Sequence, residues 1–208
     1  MRVVKTAEER KNEILDVAEQ LFAEKGFDAA STNDIIGRIG IARGTLYHHF
    51  SSKEEILDAI VDRMTRQAIF RAKAVIDNSS MSVLERLMGA INALNIRNET
   101  GTEVLEQLHK PQNALLHQKM QERLVKEVVP LYAKLIREGN KEGIFHSRYP
   151  AEAAEMLMIY SNVAFDDLAE LSPRDKMAKG RAFIYHTEKI LGAEEGSLGK
   201  VMMSAFKG

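Results

Sequence analysis

The run Ala42-Arg43-Gly44-Thr45-Leu46-Tyr47-His48-His49-Phe50 sets a guanidinium, a hydroxyl, a phenol and two imidazoles close together. What these groups share is the ability to meet a polyanion and to hydrogen-bond to flat heterocyclic edges. An arginine at position 43 reaches a phosphate or the O6/N7 edge of guanine, and Thr45 suits a base or a phosphate. Tyr47 carries a hydroxyl that can reach a phosphate. Gly44 has no side chain to keep a partner's backbone away. Lys53 follows in the first turn of a predicted helix, where backbone amides already favour an anion. The pair His48-His49 also invites a metal reading. Neighbouring residues on a helix point about 100° apart, however, so they do not easily share one ion. Neither a metal site nor a cofactor is read from this segment.

These side chains need a scaffold that presents them on one face. Ala7 to Lys25 reads as a first helix, because Ile14, Leu15, Ala18, Leu21 and Phe22 recur at three- and four-residue spacing. Gly26 stands where a left-handed cap belongs. Ser31 with Asp34 three residues later has the form of a capping box, so a second short helix runs to about Ile39 and ends at Gly40. A third covers about Arg43 to His49. Ile35, Ile39, Ile41 and Leu46 face inward, and Leu46 and Phe50 anchor the third helix to the first. Two short helices at this spacing form a helix-turn-helix, whose second helix enters the DNA major groove by its N-terminal residues. Ser52 caps a long fourth helix, Ser52 to about Asp77, with Glu54 and Glu55 complementing its dipole.

The wider composition sets bounds. The chain has 208 residues, no cysteine, and 29 Lys and Arg against 30 Asp and Glu, a net charge of −1. The missing cysteines exclude disulfides and thiolate chemistry and suit a reducing compartment. The charged N-terminus does not read as a signal peptide, and no apolar run approaches the ~20 residues of a membrane span. A cytoplasmic protein without membrane contact is expected. Between Ser31 and Lys53 the three cations Arg38, Arg43 and Lys53 oppose Asp34, a net of +2. That slight charge suits sequence reading by paired heads better than nonspecific coating of nucleic acid. An enzyme would call for a phosphate loop, a metal cluster or a nucleophile with its base. G-x-x-x-x-G-K-[ST], H-E-x-x-H and G-x-S-x-G are all absent.

The segment Leu15 to Leu57 resembles the DNA-binding domain of the TetR family of transcriptional regulators. The resemblance rests on Ala18, Phe22, Gly26-Phe27, Ser31-Thr32, Asp34-Ile35, Gly40-Ile41, Gly44 to Phe50 and Ser52 to Leu57, with no gap. It implies an all-α protein with a three-helix head at residues 1–52. A continuous helix joins this head to a larger helical ligand-binding and dimerisation domain at 53–208. It further implies a dimeric repressor that binds double-stranded operator DNA and leaves it when a small molecule binds. The DNA-reading set is then Ser31, Thr32, Arg43, Gly44, Thr45, Tyr47, His48, His49 and Lys53. Three positions depart from the family pattern: Ala42 lacks the usual serine cap, and Ile36 and Ile39 replace alanines. These departures bear on the tilt of the recognition helix.

Beyond the head, helices are expected near 82–98, 102–109, 113–139, 150–171 and 173–191, with an amphipathic tail from Leu198 to Phe206. Pro130 should bend the third of these. The last two long helices carry more than one apolar stripe, which predicts a partner surface. Met156, Ile159, Val163, Phe183, Tyr185 and Ile190 are the residues expected at a homodimer interface. Polar groups interrupting apolar stretches, together with adaptable methionines, predict a ligand site from Met88, Asn92, His109, Asn113, His117, Met120, Met158 and Tyr160. A different outcome is a DNA-binding adaptor or activator whose body recruits another protein. An apolar patch left over after dimerisation would favour it.

Overall fold

A computed structural model describes residues 5–94, 102–165 and 171–203, and among these every regular element is helical. The first three helices are α1 (Ala7–Lys25), α2 (Thr32–Ile39) and α3 (Arg43–His49). Next come α4 (Lys53–Ile76), α5 (Val83–Leu94) and α6 (Thr102–Leu108). A short 3-10 turn over Pro111–Asn113 leads into α7 (Ala114–Lys141). The chain then forms α8 (Pro150–Ala164), α9 (Pro173–Leu191) and α10 (Gly199–Met202).

Local chemistry explains the ends of the elements that carry the site. Thr6 and Glu9 form a capping box at the start of α1, and Ser31 and Asp34 form one at the start of α2. Gly40 ends α2 with φ 72° and ψ 36°, the left-handed region that a Cβ disfavours. Gly26 also has positive φ, 81°, but its ψ of 150° is extended, so α1 ends without the expected left-handed cap. Ala42 makes no side-chain cap to α3, as its methyl requires. The Ser52 hydroxyl accepts the Glu55 N–H at 3.1 Å and opens α4.

The chain divides into two compact units. One comprises Met1–Arg66 with Ile96–Met120, the other Gln67–Asn95 with Gln121–Gly208. This differs from a boundary at 52/53, for a physical reason. The head's core continues along α4 through Ile56, Leu57, Ile60, Val61 and Met64, and it takes in Val104 and Leu108 from α6. A three-helix head alone would leave those α4 residues exposed. Arg63 fastens the same stretch of α4 to α1, meeting Asp16 at 2.6 Å and Glu19 at 3.1 Å. Ile36 and Ile39 lie partly buried against this core, so their extra bulk is accommodated.

The second unit has its own core of Ala72, Ile76, Val83, Leu87, Ala133, Ile136, Phe145, Ala154, Phe183, Ile184 and Leu191 with their neighbours. Arg86 is buried here. It donates to the Ile76 carbonyl at 3.1 Å and pairs with Glu138 at 2.5 Å. Glu188, also buried, accepts the N–H groups of Gly196 and Leu198 at 2.9 and 2.8 Å, which holds the turn leading to α10. Pro130 lies inside α7. The expected helix ends near 98 and Phe206 fall outside the described residues, whereas α8 ends at Ala164 with Phe165 as its cap and not near 171.

Candidate nucleic-acid interface

The third helix is divided between core and surface in the way a reading helix requires. Leu46 and Phe50 are buried in the first core. Arg43, Gly44, Tyr47 and His48 are exposed, and Thr45 and His49 are half-buried. A seven-residue helix with no N-cap is marginal alone. Its geometry is therefore set by Leu46 and by the fixed turn at Gly40. Ile35 on α2, fully buried, supplies the opposing surface.

The exposed side chains form a connected group. The Tyr47 and Thr32 hydroxyls are 3.3 Å apart, which ties α3 to the first residue of α2. The Arg43 guanidinium lies 5.3 Å from the centre of the Tyr47 ring. The hydrogen bond from Thr32, with Arg43 beside it, lowers the Tyr47 pKa below the ordinary phenol value. His48 and His49 meet edge to face with ring centres 5.2 Å apart. Burial holds the His49 pKa below the usual histidine range, and His48, Lys11 and Arg10 add to this by repulsion. A Cβ at Gly44 would meet nothing within 4 Å, so the chain's own packing does not require this glycine.

The other residues of the predicted set are already engaged. The Ser31 hydroxyl is 2.6 Å from the Asp34 carboxylate and accepts the Asp34 N–H at 3.2 Å, so it serves the α2 cap. Lys25 and then Ser31 hold the Asp34 carboxyl well below the usual carboxylate range. Arg38, outside that set but counted in the segment's charge, makes a two-point ion pair with Glu24 at 2.9 and 2.8 Å. Lys53 departs most from expectation. Its ammonium donates to the carbonyls of Phe27 at 2.6 Å, Ala30 at 3.0 Å and Asp28 at 3.4 Å, and it sits 4.3 Å from the Phe27 ring centre. The reason is its place in the first turn of α4, directly beside the α1–α2 connection. Of the three cations counted for this segment, only Arg43 therefore stands on the exposed α3 surface.

The residues expected at a ligand site divide between the two units. His109, Asn113, His117 and Met120 belong to the first, and Met88, Asn92, Met158 and Tyr160 to the second. Within the first, the His109 and His117 rings meet at 4.9 Å, and Asn113 Nδ2 donates to the Gln107 carbonyl at 2.7 Å. In the second, Asn92 is exposed. Tyr160 is 51 % exposed and stacks on Phe183 with ring centres 5.6 Å apart.

The exposed face of α8 carries a row of large apolar residues. Met156, Ile159, Tyr160 and Val163 recur as i, i+3, i+4, i+7 and are all exposed, as is Tyr185 on α9. Two residues expected among them lie elsewhere. Phe183 is buried in the protomer's own core, and Ile190 is half-buried against it. Gly180, Phe183, Ile184, Thr187, Glu188 and Leu191 together make a single inward stripe, so Phe183 flanks Ile184 on the same side and not on a second face. Among the described residues no helix is long and apolar enough to cross a membrane.

Comparison with known proteins agrees with this geometry. Residues 14–60 match the model of bacterial regulatory proteins of the tetR family, and residues 96–184 match that of a tetracyclin repressor-like C-terminal domain. The HTH-type transcriptional repressor KstR2 of Mycobacterium tuberculosis is 30% identical over 156 residues, covering 69% of this chain and 73% of that protein. A TetR/AcrR-family regulator from Thermobifida fusca superposes with a TM-score of 0.61 at 24% identity, over 91% of this chain and 98% of that one. RolR in complex with resorcinol superposes with a TM-score of 0.62 at 15% identity, over 94% of each chain. With two family models matched in order and a repressor aligned across most of its length, this chain belongs to the TetR family of DNA-binding transcriptional regulators.

Proposed function

We propose that this chain is a repressor that reads a palindromic operator as a homodimer and is released from it by a small molecule. The observation that carries the reading is the division of α3, with Leu46 and Phe50 buried and Arg43, Gly44, Tyr47 and His48 presented outward. Arg43 and Thr45 read base edges. Tyr47 and His48 meet phosphates, and the bare backbone at Gly44 allows close approach. One head carries little charge, so sequence-specific affinity rests on two heads about one DNA turn apart, ~34–36 Å.

The stripe of Met156, Ile159, Tyr160 and Val163, with Tyr185, supports the dimer. A long apolar row at helical spacing suits a helix-to-helix interface between identical copies. Phe183 supports the stripe from within the protomer's core by stacking on Tyr160. Ligand control is supported by the family and by the resorcinol complex of RolR. The two candidate groups for the ligand are His109, Asn113, His117 and Met120 in one unit, and Met88, Met158 and Tyr160 with Asn92 in the other.

Selection of duplexes from a random pool, followed by competition at fixed salt, tests the reading. Recovery of an inverted repeat bound by two chains is expected. Failure of any selected site to compete better than random DNA would overturn it. For the ligand, a thermal-shift screen followed by His117→Ala separates the groups. An unchanged affinity for the hit removes His117 from the site.

A further inference from the structure

The Phe27–Ala30 connection, which feeds directly into the Ser31 cap of α2, is gripped from two sides. On one side is Lys53 of α4, whose ammonium donates to the carbonyls of Phe27, Asp28 and Ala30. On the other is α6. Glu103 Oε1 accepts the Phe27 N–H at 2.9 Å and the Gln107 side-chain N–H at 2.8 Å, and Lys110 pairs with Asp28 at 2.9 Å. Both backbone polarities of Phe27 are thus taken by side chains, its carbonyl by a cation and its amide by an anion. The Phe27 ring fixes the third direction, packing edge to face on Phe22 with centres 5.0 Å apart.

We propose that Lys53 and Glu103 are positioning residues for sequence reading, which set the α2–α3 pair through the Phe27–Ala30 backbone and do not touch DNA. A reading helix must be placed within about half an ångström for its side chains to meet base edges. The connection that aims α2 has no regular structure of its own to hold that placement. Glu103 supplies the constraint from 76 residues away in sequence. The bond to the Phe27 amide keeps the Glu103 carboxylate ionised by lowering its pKa.

The inference rests on the DNA-reading function proposed above, and the test separates the two. Affinity for the selected palindrome and for a random duplex is measured for the wild type, Glu103→Ala, Glu103→Gln, Lys53→Met and Lys53→Arg, with melting temperatures alongside. If the wild type itself does not discriminate, the function fails. If it does, Glu103→Ala should weaken binding to the palindrome about tenfold, on the scale of one bidentate pairing with a base edge. Its affinity for random DNA should hold or rise, since an acidic group has been removed. Glu103→Gln keeps an acceptor for the Phe27 amide and should restore most of the affinity. Lys53→Arg retains charge but cannot place one compact ammonium among three carbonyls, so it should behave like Lys53→Met. The double variant Glu103→Ala with Lys53→Met should lose less than the two single losses combined, because both act through one connection. The proposal is overturned if Glu103→Ala discriminates like the wild type while Lys53→Met weakens both duplexes equally with a salt slope smaller by about one, the mark of a phosphate-binding lysine.

Discussion

The Tyr47 hydroxyl lies 3.3 Å from that of Thr32, so the exposed face of α3 is joined to the first residue of α2 by a side-chain hydrogen bond. Arg43 rests against the same ring. The groups proposed to meet DNA are therefore partly arranged before DNA arrives, which reduces the ordering cost of binding. Replacing Tyr47 by Phe removes this bond and the hydroxyl proposed to meet phosphate, but keeps the ring under Arg43. We expect Tyr47→Phe to weaken the selected and the random duplex by the same factor, about 0.5–1.5 kcal/mol. Fluorescence anisotropy at one salt concentration measures both, and a loss confined to the selected duplex would mean that Tyr47 reads sequence.

The apolar row on α8 makes a prediction about assembly. Val163 is 71 % exposed and Ile159 47 %, so neither contributes much to the protomer's own core. Val163→Asp should leave helicity unchanged and shift sedimentation from dimer to monomer, because an unpaired carboxylate at an apolar interface is costly to desolvate. A dimer of unaltered affinity would place the interface elsewhere.

His49 gives the fold a pH dependence of definite sign. Its pKa is depressed by burial first and then by His48, Lys11 and Arg10. A depressed pKa means that the unfolded chain takes up the proton more readily. The stability contributed by this group is therefore complete above the ordinary histidine value of about 6.5 and declines as pH falls through it. The difference in melting temperature between wild type and His49→Asn should shrink on going from pH 8 toward about pH 5.5. A difference that is flat, or that widens in acid, would contradict the assigned cause.

In the second unit, Gly139 faces the buried ring of Phe145. A Cβ at 139 would stand 2.2 Å from Phe145 Cδ2, and that ring is 1 % exposed. Alanine would gain roughly 1 kcal/mol in helix propensity. Overpacking a closed core costs about 1–3 kcal/mol, and here the clash wins. Gly139→Ala should lower stability in chemical denaturation, and adding Phe145→Leu should recover part of the loss. Additive losses would show that the two positions do not share space.

Legibility in the sequence followed the range of the interactions. The α2–α3 unit could be read because its determinants are local: a capping pair three apart at Ser31 and Asp34, a glycine at 40, and anchors four apart at Leu46 and Phe50. The engagement of Lys53 could not be read, since its partners lie 23 to 26 residues back and its place in a first turn suits an anion equally well. Glu103 left no signal at all, because its partner is a backbone amide on another helix connection. The two-stripe reading of α9 failed for Phe183 because a wide inward stripe, seen one residue at a time, looks like two narrow ones. Ligand residues were the least legible. Single histidines and methionines fill cores as readily as they line sites.

The central claim is that α3 reads base sequence, and Arg43 tests it most directly, as the cation of this segment on the exposed α3 surface. The measurement is the ratio of affinities for the selected palindrome and a random duplex, at the same salt, in wild type and Arg43→Ala. We expect the ratio to fall by a factor corresponding to ~1–3 kcal/mol for each base edge that Arg43 reads, with discrimination relaxed at particular positions of the site. A variant that loses equally on both duplexes, and so keeps the wild-type ratio, would contradict the account.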